Sequence, residues 1–485
     1  MSMAQAMSNA LSGLKAVSRG TETVAANIAN AMTPGYARRE VSLASQSLGG
    51  GSGGVRIIDV TRMVNAGILA ESRLSEAAKA NAATLADFTN RMQATLGIAG
   101  EAGSLGATLT DFQTALISAS ARPEDELRLS QVALAAVALS KSLNNASAEV
   151  QKSRTIADQA IAADIASLNA GLENIASLNQ RISLVGAEGS DPSALIDERQ
   201  RVVDLITRIV PLQQVDRPGG AIALFTKDGA ALLDGSRPAE LAFAMSGSVT
   251  AQADVMSGSL SRLNMNGVEL TPRQMQFFSG GTLAAHFTIR DELGPQLQAE
   301  LDVIAFELHE RFADPSVDPS LVPGMPGIFT DAGLLASDTA IKGLAGRLAI
   351  NDSIAPDANG ELWRIRSGLG SASPGAIGDT TLLTSLSNAI GSALASPNPL
   401  VFDGVATLSG RFAQLESRVA TRRVNVEREL AGFSAQAEAF SSRLAADGVD
   451  SDAEMQRLLQ YEQAYAANAR MIQAIDDMMQ QLLRL

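Results

Sequence analysis

Near the start of the chain, apolar or small residues fall at Met3, Met7, Ala10, Leu14, Val17, Thr21, Val24 and Ile28, in steps that alternate four and three. That is the heptad spacing of a helix seeking a partner helix. At the other end Leu458, Tyr461, Tyr465, Asn468, Ile472, Ile475, Met479 and Leu482 alternate three and four. Two such stripes predict that the N- and C-terminal helices pair as a coiled coil, with the remaining chain an excursion between them. The run NIANAMTPGYARR (27–39) ends the first helix, because Pro34-Gly35 forces a turn.

After that turn, Arg39-Glu40-Val41-Ser42-Leu43 alternates as a short strand, and VRIIDV (55–60) forms a second beyond a Gly/Ser-rich loop at 49–54. The loop lacks Gly-Lys-Ser/Thr and does not open a helix, so it is not a phosphate cradle. Helical spacing then dominates, first at Leu85, Phe88 and Met92, then at Leu105, Leu109, Phe112 and Leu116. Pro123 with Glu124, Asp125 and Glu126 starts a helix, the acids facing the positive end of its dipole. Its heptad runs through Val132, Ala136, Leu139, Leu143, Ala146 and Val150, and on through Ile161, Ile165, Leu168, Leu172 and Ile175 to about Val185. Such a rod of some 60 residues would be about 90 Å long. Asp191-Pro192 opens a further helix through Leu195, Val202, Leu205 and Ile209.

From Leu212 to Gln276 the character changes, with hairpin dipeptides Asp228-Gly229, Asp234-Gly235 and Asn266-Gly267 between short apolar runs. Helical pattern resumes at Gly280-Gly281 through Leu297, Leu301, Ile304 and Leu308. A Pro/Gly/Asp-rich segment follows, with short strands expected around Leu348-Ile350 and Leu362-Ile365. The heptad returns from Leu408 through Phe412, Leu415, Val419, Leu430, Phe433, Ala437, Phe440 and Leu444, and Gly448 closes that helix. Ser451 and Glu454, three apart, read as a capping box for the last helix.

The expected architecture is therefore mainly α with a smaller β part. It comprises a terminal coiled-coil domain (1–32 with 451–485) and a long helical-rod domain (33–209 with 401–450, joined by 280–313). An outer β domain (210–279) and an irregular, partly β insertion (314–400) complete it.

Composition narrows the function. Aromatic residues make up only 4% of the 485 residues, and the three tyrosines all lie in or beside the terminal helices. A formal net charge of −14 argues against nucleic acid or an anionic membrane surface as the main partner. Without cysteine there is no disulfide and no thiolate site. The N-terminus does not read as a cleaved signal peptide, and no window of about 18 uninterrupted apolar residues exists, so membrane insertion is not expected. The richest stretch, 127–143, is broken by Arg128, Gln131 and Lys141.

Catalytic chemistry has little to work with. His309 in FELHERF is not the start of an H-E-x-x-H pair, since Ala313 stands four residues on, and it reads as a partly exposed helix histidine. His286 reads as packed or solvated. Asp197-Glu198 and Asp476-Asp477 could be paired carboxylates, but a solvated helix face is the commoner explanation. No metal and no cofactor is expected.

The terminal stripes could be satisfied as core within one monomer. Three features favour self-assembly instead. A thin two-helix seam rich in Ala and Thr offers little stability alone. The last helix has a second apolar row at Leu459, Met471 and Met478. Tyr461 and Tyr465 form an i, i+4 pair suited to contact surfaces. The seam residues expected to carry assembly are Leu14, Val17, Val24 and Ile28 in the first helix. In the last helix they are Leu458, Tyr461, Tyr465, Ile472, Ile475, Met479 and Leu482.

The stretch LSGLKAVSRGTETVAANIANAMTPGYARR (11–39) resembles the N-terminal signature of flagellar axial proteins, the rod, hook and hook-associated subunits. LLQYEQAYAANARMIQAIDDMMQQLL (458–483) resembles their C-terminal signature. The signature positions are Asn27, Asn30, Thr33, Pro34, Gly35 and Tyr36. TPGYARR is similar to the turn of the hook-associated branch, whereas rod and hook subunits typically show Thr-x-Gly-Phe-Lys. GSGGVRIIDVTRMVNAGILAESR, SALIDERQRVVDLITRIV, GGTLAAHFTIRDELGPQLQAELDVIAFELHERF and GRLAINDSI resemble interior segments of the same branch. Ala31-Met32 departs from the family's more frequent residues.

The resemblance implies a structural subunit of the bacterial flagellum at the hook–filament junction, not an enzyme. It implies terminal helices that line the axial channel and are disordered in the free subunit. The implied partners are further copies of the chain, hook subunits, the next junction protein towards the filament, and an export chaperone on the C-terminal helix. The implied location is extracellular, after type III export from the cytoplasm. Two other readings remain open: another axial protein such as a rod or hook subunit, or a coiled-coil enzyme with carboxylate chemistry in the β region.

Overall fold

The computed structural model describes residues 3–33, 35–48 and 51–483. Ala-rich heptads make α1 (Met3–Ala29), which hands over through the signature turn to an antiparallel hairpin, β1 (Arg39–Leu48) with β2 (Gly51–Arg62). The hairpin is longer than its two expected strands, because residues 51–54 of the Gly/Ser stretch are already strand; Gly49 and Gly50 lie outside the described residues. Three helices follow: α2 (Ala66–Leu96), α3 (Leu105–Ala121) and α4 (Glu126–Ala187). The acidic start signal of α4 is used as expected, with the Asp125 side chain accepting from the Leu127 N–H. Its 62 residues span about 93 Å. Helix α5 (Ser193–Thr207) folds back against it.

The β region contains two small sheets. The first runs in the order β3 (Leu212–Asp216), β4 (Ile222–Thr226), β5 (Ala231–Asp234), β6 (Arg237–Pro238). The second is β7 (Leu241–Ala242), β8 (Asn264–Met265), β9 (Val268–Glu269). Asp228-Gly229 and Asn266-Gly267 fall between paired strands, while Asp234 ends β5 and Gly235 begins the turn to β6. At Asn266-Gly267 both φ values are positive, 54° and 81°, as a two-residue turn of that handedness requires.

A one-turn helix α6 (Pro272–Met275) and then α7 (Gly281–Thr288) lead through a π turn at 289–293 into α8 (Gly294–Ala313). Beyond it β10 (Phe329–Asp331) pairs with β11 (Leu348–Ile350), the latter where a strand was expected. The strand expected near Leu362-Ile365 is instead helical, α9 (Arg364–Ser367), a single turn whose Arg364 side chain bonds Glu361 and the carbonyls of Leu369 and Ser371. Helix α10 (Thr381–Gly391) and a minimal hairpin, β12 (Leu394–Ala395) with β13 (Val405–Ala406), precede α11 (Leu408–Ala446) and α12 (Ser451–Leu483).

Buried apolar side chains form two clusters. The first joins α2, α3, the first half of α4, α8 and α11 with residues 321–402, and centres on the mutually edge-on rings of Phe112, Phe312 and Phe329. The second joins Ile161–Ala176 of α4 and α5 to the strands. Irregular segments are tied down by buried arginines. Arg154 donates to the carbonyls of Arg290, Thr250 and Ala253, and Arg290 bonds Asp158, Asp291 and the Ser261 carbonyl.

His309 is buried rather than partly exposed. Its Nδ1 lies 2.8 Å from the Phe329 carbonyl and its Nε2 accepts the Ala336 N–H at 3.0 Å, which requires the neutral ring. Burial lowers its pKa in the same sense, against the Phe329 hydrogen bond.

No described residue of α1, the β1–β2 hairpin or α12 belongs to either cluster. The terminal helices pack on each other, and α1 also packs on the hairpin. In the structure the two terminal helices stand side by side as a pair. Among the described residues, no helix is long and apolar enough to cross a membrane.

Candidate functional site

The signature residues converge on one buried polar hub. Asn27, 0% exposed, uses its whole amide. Its Nδ2 donates to Glu454 Oε2 and to the Arg39 carbonyl, both at 2.9 Å. Its Oδ1 accepts from the Tyr36 hydroxyl (2.8 Å) and the Arg39 N–H (3.0 Å). A single side chain thus holds the turn, the first strand and the last helix together. Asn30 ends α1 by donating to the Ala26 carbonyl, and Thr33 bonds the Asn30 side chain. Gly35 has φ +79°, and a Cβ there would stand 2.6 Å from Cγ of Arg201 on α5, so both backbone and space demand glycine. Pro34 lies outside the described residues.

Glu454 is the second centre, 1% exposed. Besides Asn27 it accepts from Arg38 Nε (2.8 Å) and Arg457 Nη1 (2.7 Å). Burial opposes the Arg38 charge, but the bonds to Glu454 and Glu40 outweigh it and raise the Arg38 pKa. Burial also raises the pKa of Tyr36 and Tyr461, so both hydroxyls stay protonated donors at neutral pH. The capping box expected at Ser451 is not formed. Asp450 Oδ1 accepts the N–H groups of Asp452 and Ala453, and that leaves the Glu454 carboxylate free for the hub.

A third centre lies on α5. Arg39 and Arg62 stand directly opposite each other in the β1–β2 register, a repulsive pair on its own. Asp197 bridges them, taking Arg39 Nη2 at 2.7 Å and Arg62 Nη2 and Nε at 2.6 and 2.9 Å. Two further residues of the Asp197-Glu198-Arg199-Gln200 run are also engaged. Arg199 donates to the Asn179 side chain and the Gly220 carbonyl, and Gln200 accepts from Arg73. Burial, with the nearby Arg62 charge, brings the Arg199 pKa down to about 10. Asp197 is therefore a structural anion between two cations, not half of an acid–base pair. Asp476 accepts from Gln480.

The seam between α1 and α12 is antiparallel and its register is plain. Gly13 faces Asn468, Gly20 faces the Tyr461 ring, and Asn27 faces Glu454. Each step of seven up α1 matches a step of seven down α12. Val17 and Val24 are buried as expected, together with Ala10, Ala16 and Thr23. Leu14 and Ile28 are only half-buried, because the helix turns its glycine row, one position earlier, towards the partner. On α12 Ile475 is buried and Leu458, Tyr461 and Ile472 are half-buried.

Tyr465, Met479 and Leu482 depart from the expected seam and are 52%, 43% and 62% exposed. Tyr465 sits to one side of the line through Tyr461 and Asn468. Met479 and Leu482 extend past the described start of α1 at Met3. Met455, Leu459, Met471 and Met478 are exposed as well, on two separate rows of the helix.

Sequence reasoning missed Glu454 as a hub residue, and with it Arg38, Arg62, Asp197, Gly13 and Gly20. The glycines seven apart inside a heptad helix were the available signal, as glycine there costs stability unless something packs against it.

Comparisons with known proteins agree on one group. Residues 89–314 match the family described as flagellar hook-associated protein FlgK helical domain. Residues 441–485 match the flagellar basal body rod FlgEFG protein C-terminal family, and residues 7–36 the flagella basal body rod protein family. The chain is similar to flagellar hook-associated protein 1 of Bacillus subtilis, 24% identical over 97% of this chain and 96% of that protein. It is 28% identical to the Salmonella typhimurium protein of the same name over 50% of this chain, and 24% identical to that of Escherichia coli over 64%. Those matches span about half of each relative, 44% and 56% of their lengths. The solved flagellar hook junction protein FlgK from Burkholderia pseudomallei aligns over 54% of this chain and 47% of its own, at 17% identity and a TM-score of 0.45.

Proposed function

We propose that the chain is a flagellar hook-associated protein that builds the hook–filament junction of the bacterial flagellum by packing its terminal helices against those of neighbouring subunits. Its role is structural, as a component of the flagellum. The observation that carries the assembly reading is the poverty of burial along α12. Only Glu454 and Ile475 are buried among its described residues, while seven large apolar side chains stand in solvent on one helix. Exposed apolar rows of that extent on a polar-rimmed helix mark a protein contact surface.

In this reading the seam residues divide between two tasks. Val17, Val24, Ile475 and, at its edge, Leu14, Ile28, Leu458, Tyr461 and Ile472 hold the two helices of one subunit together. Tyr465, Met479 and Leu482, with Leu459, Met471 and Met478, face the next subunit. Asn27, Asn30, Thr33, Gly35 and Tyr36 shape the turn that fixes where the helix pair leaves the body. The terminal unit (1–32 with 451–485) is innermost, the helical body (33–209 with 401–450) surrounds it, and the β region (210–279) is outermost, with 314–400 packed into the body. The partners are further copies, hook subunits on one side and the next junction protein on the other. Before type III export, a chaperone covers the exposed rows of α12.

The test is a strain lacking this gene. It is expected to be non-motile and to release unpolymerised flagellin, with both defects corrected by the wild-type chain. Ile472→Asp is expected to leave the body folded yet fail to correct either defect. A deletion strain with intact filaments would overturn the assignment.

A further inference from the structure

The α1–α12 seam has a steric ambiguity that its polar layer removes. Gly13 and Gly20 are seven apart, and so are Asn468 and Tyr461, which fill the spaces above them. A Cβ on Gly20 would lie 2.5 Å from the Tyr461 ring, and one on Gly13 would lie 2.9 Å from Asn468 Oδ1, so each space is made by the missing side chain. Sliding α12 by one heptad would set Tyr461 over Gly13 and Asn468 over Ala6. Sliding it the other way would set Asn468 over Gly20 and Ile475 over Gly13. In both slips a small residue still meets a large one, so packing discriminates poorly among the three registers.

The layer at Asn27 and Glu454 does discriminate. In the observed register all four hydrogen bonds of the Asn27 amide are made, and Glu454 gathers Asn27, Arg38 and Arg457. After a slip of seven, Glu454 would leave Asn27 and Arg38 without their buried acceptor, a costly loss in a site so closed. Arg38 cannot follow, because it lies between the turn and β1, which is fixed to α5 through Arg39 and Asp197.

We propose that Glu454, with Asn27 and Arg38, is the register-determining element of the terminal helix pair: it positions the exposed apolar rows of α12 along α1. A slip of one heptad moves those rows by about 10 Å. A single polar pair is known to set register in coiled coils whose apolar repeat leaves it open. The consequence for assembly rests on the function proposed above, but the register itself does not.

The chain contains no cysteine, so disulfide trapping reads the register directly in the purified full-length protein. Ala6→Cys with Ile475→Cys reports the observed register; Ala6→Cys with Asn468→Cys reports the slip of seven. In the otherwise wild-type chain only the first pair is expected to close. Glu454→Leu, which keeps bulk and helix propensity, is expected to raise the slipped product relative to the in-register product by at least about tenfold. Glu454→Gln still accepts from Asn27 and is expected to keep the in-register product.

Three results would overturn the proposal. One is a wild-type chain that fails to close the first pair. Another is Glu454→Leu closing the first pair alone. The third is Glu454→Leu closing neither pair, since that would make Glu454 a source of affinity rather than of register. A Glu454→Leu chain that slips in solution yet still restores motility would leave the register element standing and refute the assembly reading.

Discussion

Replacing Asn27 by alanine removes the one side chain shared by the turn, the first strand and the last helix. Its four hydrogen bonds include one to a carboxylate and one from a backbone N–H that nothing else in the hub can accept. At about 0.5–1 kcal/mol for each of the three ordinary bonds and about 1.5–2 kcal/mol for the one to the carboxylate, the loss is roughly 3–5 kcal/mol. That cost falls on the terminal unit alone, because neither apolar cluster of the body contains a described residue of α1, the hairpin or α12. The suitable assay is native-state hydrogen exchange read by peptide. Amides of α1 and α12, helices of 27 and 33 residues, are expected to exchange roughly two to three and a half orders of magnitude faster in the variant. Amides of α4 between Leu139 and Leu172 are expected to keep their wild-type rates. An equal acceleration in α4, or unchanged rates in α12, would refute the reasoning that the hub is the keystone of a separately opening unit.

Asp197→Asn leaves Arg39 and Arg62 facing each other without their bridging charge. It is expected to destabilise the hairpin by about 2–3 kcal/mol, seen as protease cleavage within residues 39–62 while α4 stays intact. Gly20→Leu drives a side chain into the Tyr461 ring and is expected to separate α1 from α12, lowering the first step of thermal unfolding by circular dichroism and sparing the second. Gly35→Ala meets both a left-handed backbone and Arg201, and is expected to cost about 1–2 kcal/mol of terminal-unit stability by the same measurement. Burial, with the Arg91 charge nearby, lowers the His286 pKa from 6.5 to about 4, so the unfolded chain binds the proton more readily. Stability is therefore expected to be complete above about pH 6.5 and to fall as the pH drops towards 4, by at most about 3 kcal/mol from this residue. His286→Asn is expected to flatten that part of a denaturation-midpoint profile.

What the sequence reveals here depends on how local the cause is. The long helix from Glu126, the three hairpin turns of the β region and the terminal stripes all follow from spacing and turn chemistry within a few residues. The hub does not. Glu454 looks like half of a capping box until Asp450 is seen to supply the cap, and its partners Asn27 and Arg38 lie more than 400 positions away. The stripe on α1 misleads for a related reason. Leu14 and Ile28 are the bulkiest candidates, yet the large residues of this seam sit on α12 and the spaces on α1, so the glycines are its true markers. Residues 314–400 read as a separate irregular piece because their buried side chains are scattered singly among turns. Only the fold shows Ile328, Phe329, Leu348 and Leu386 entering the same cluster as the helices.

The bond between Asn27 and Glu454 joins residues 427 positions apart, and that distance is also an interval of time. A ribosome adding roughly 5–20 residues per second needs about 20 to 85 s to pass from one to the other. For all of it α1 has the β1–β2 hairpin beside it but no partner helix along its glycine row. Only when α12 follows are the glycine spaces of α1 filled and the Asn27 amide given its carboxylate partner. A chain arrested anywhere before α12 therefore carries an α1 whose seam face is still open, and the emergence of α12 is the event on which the pair closes.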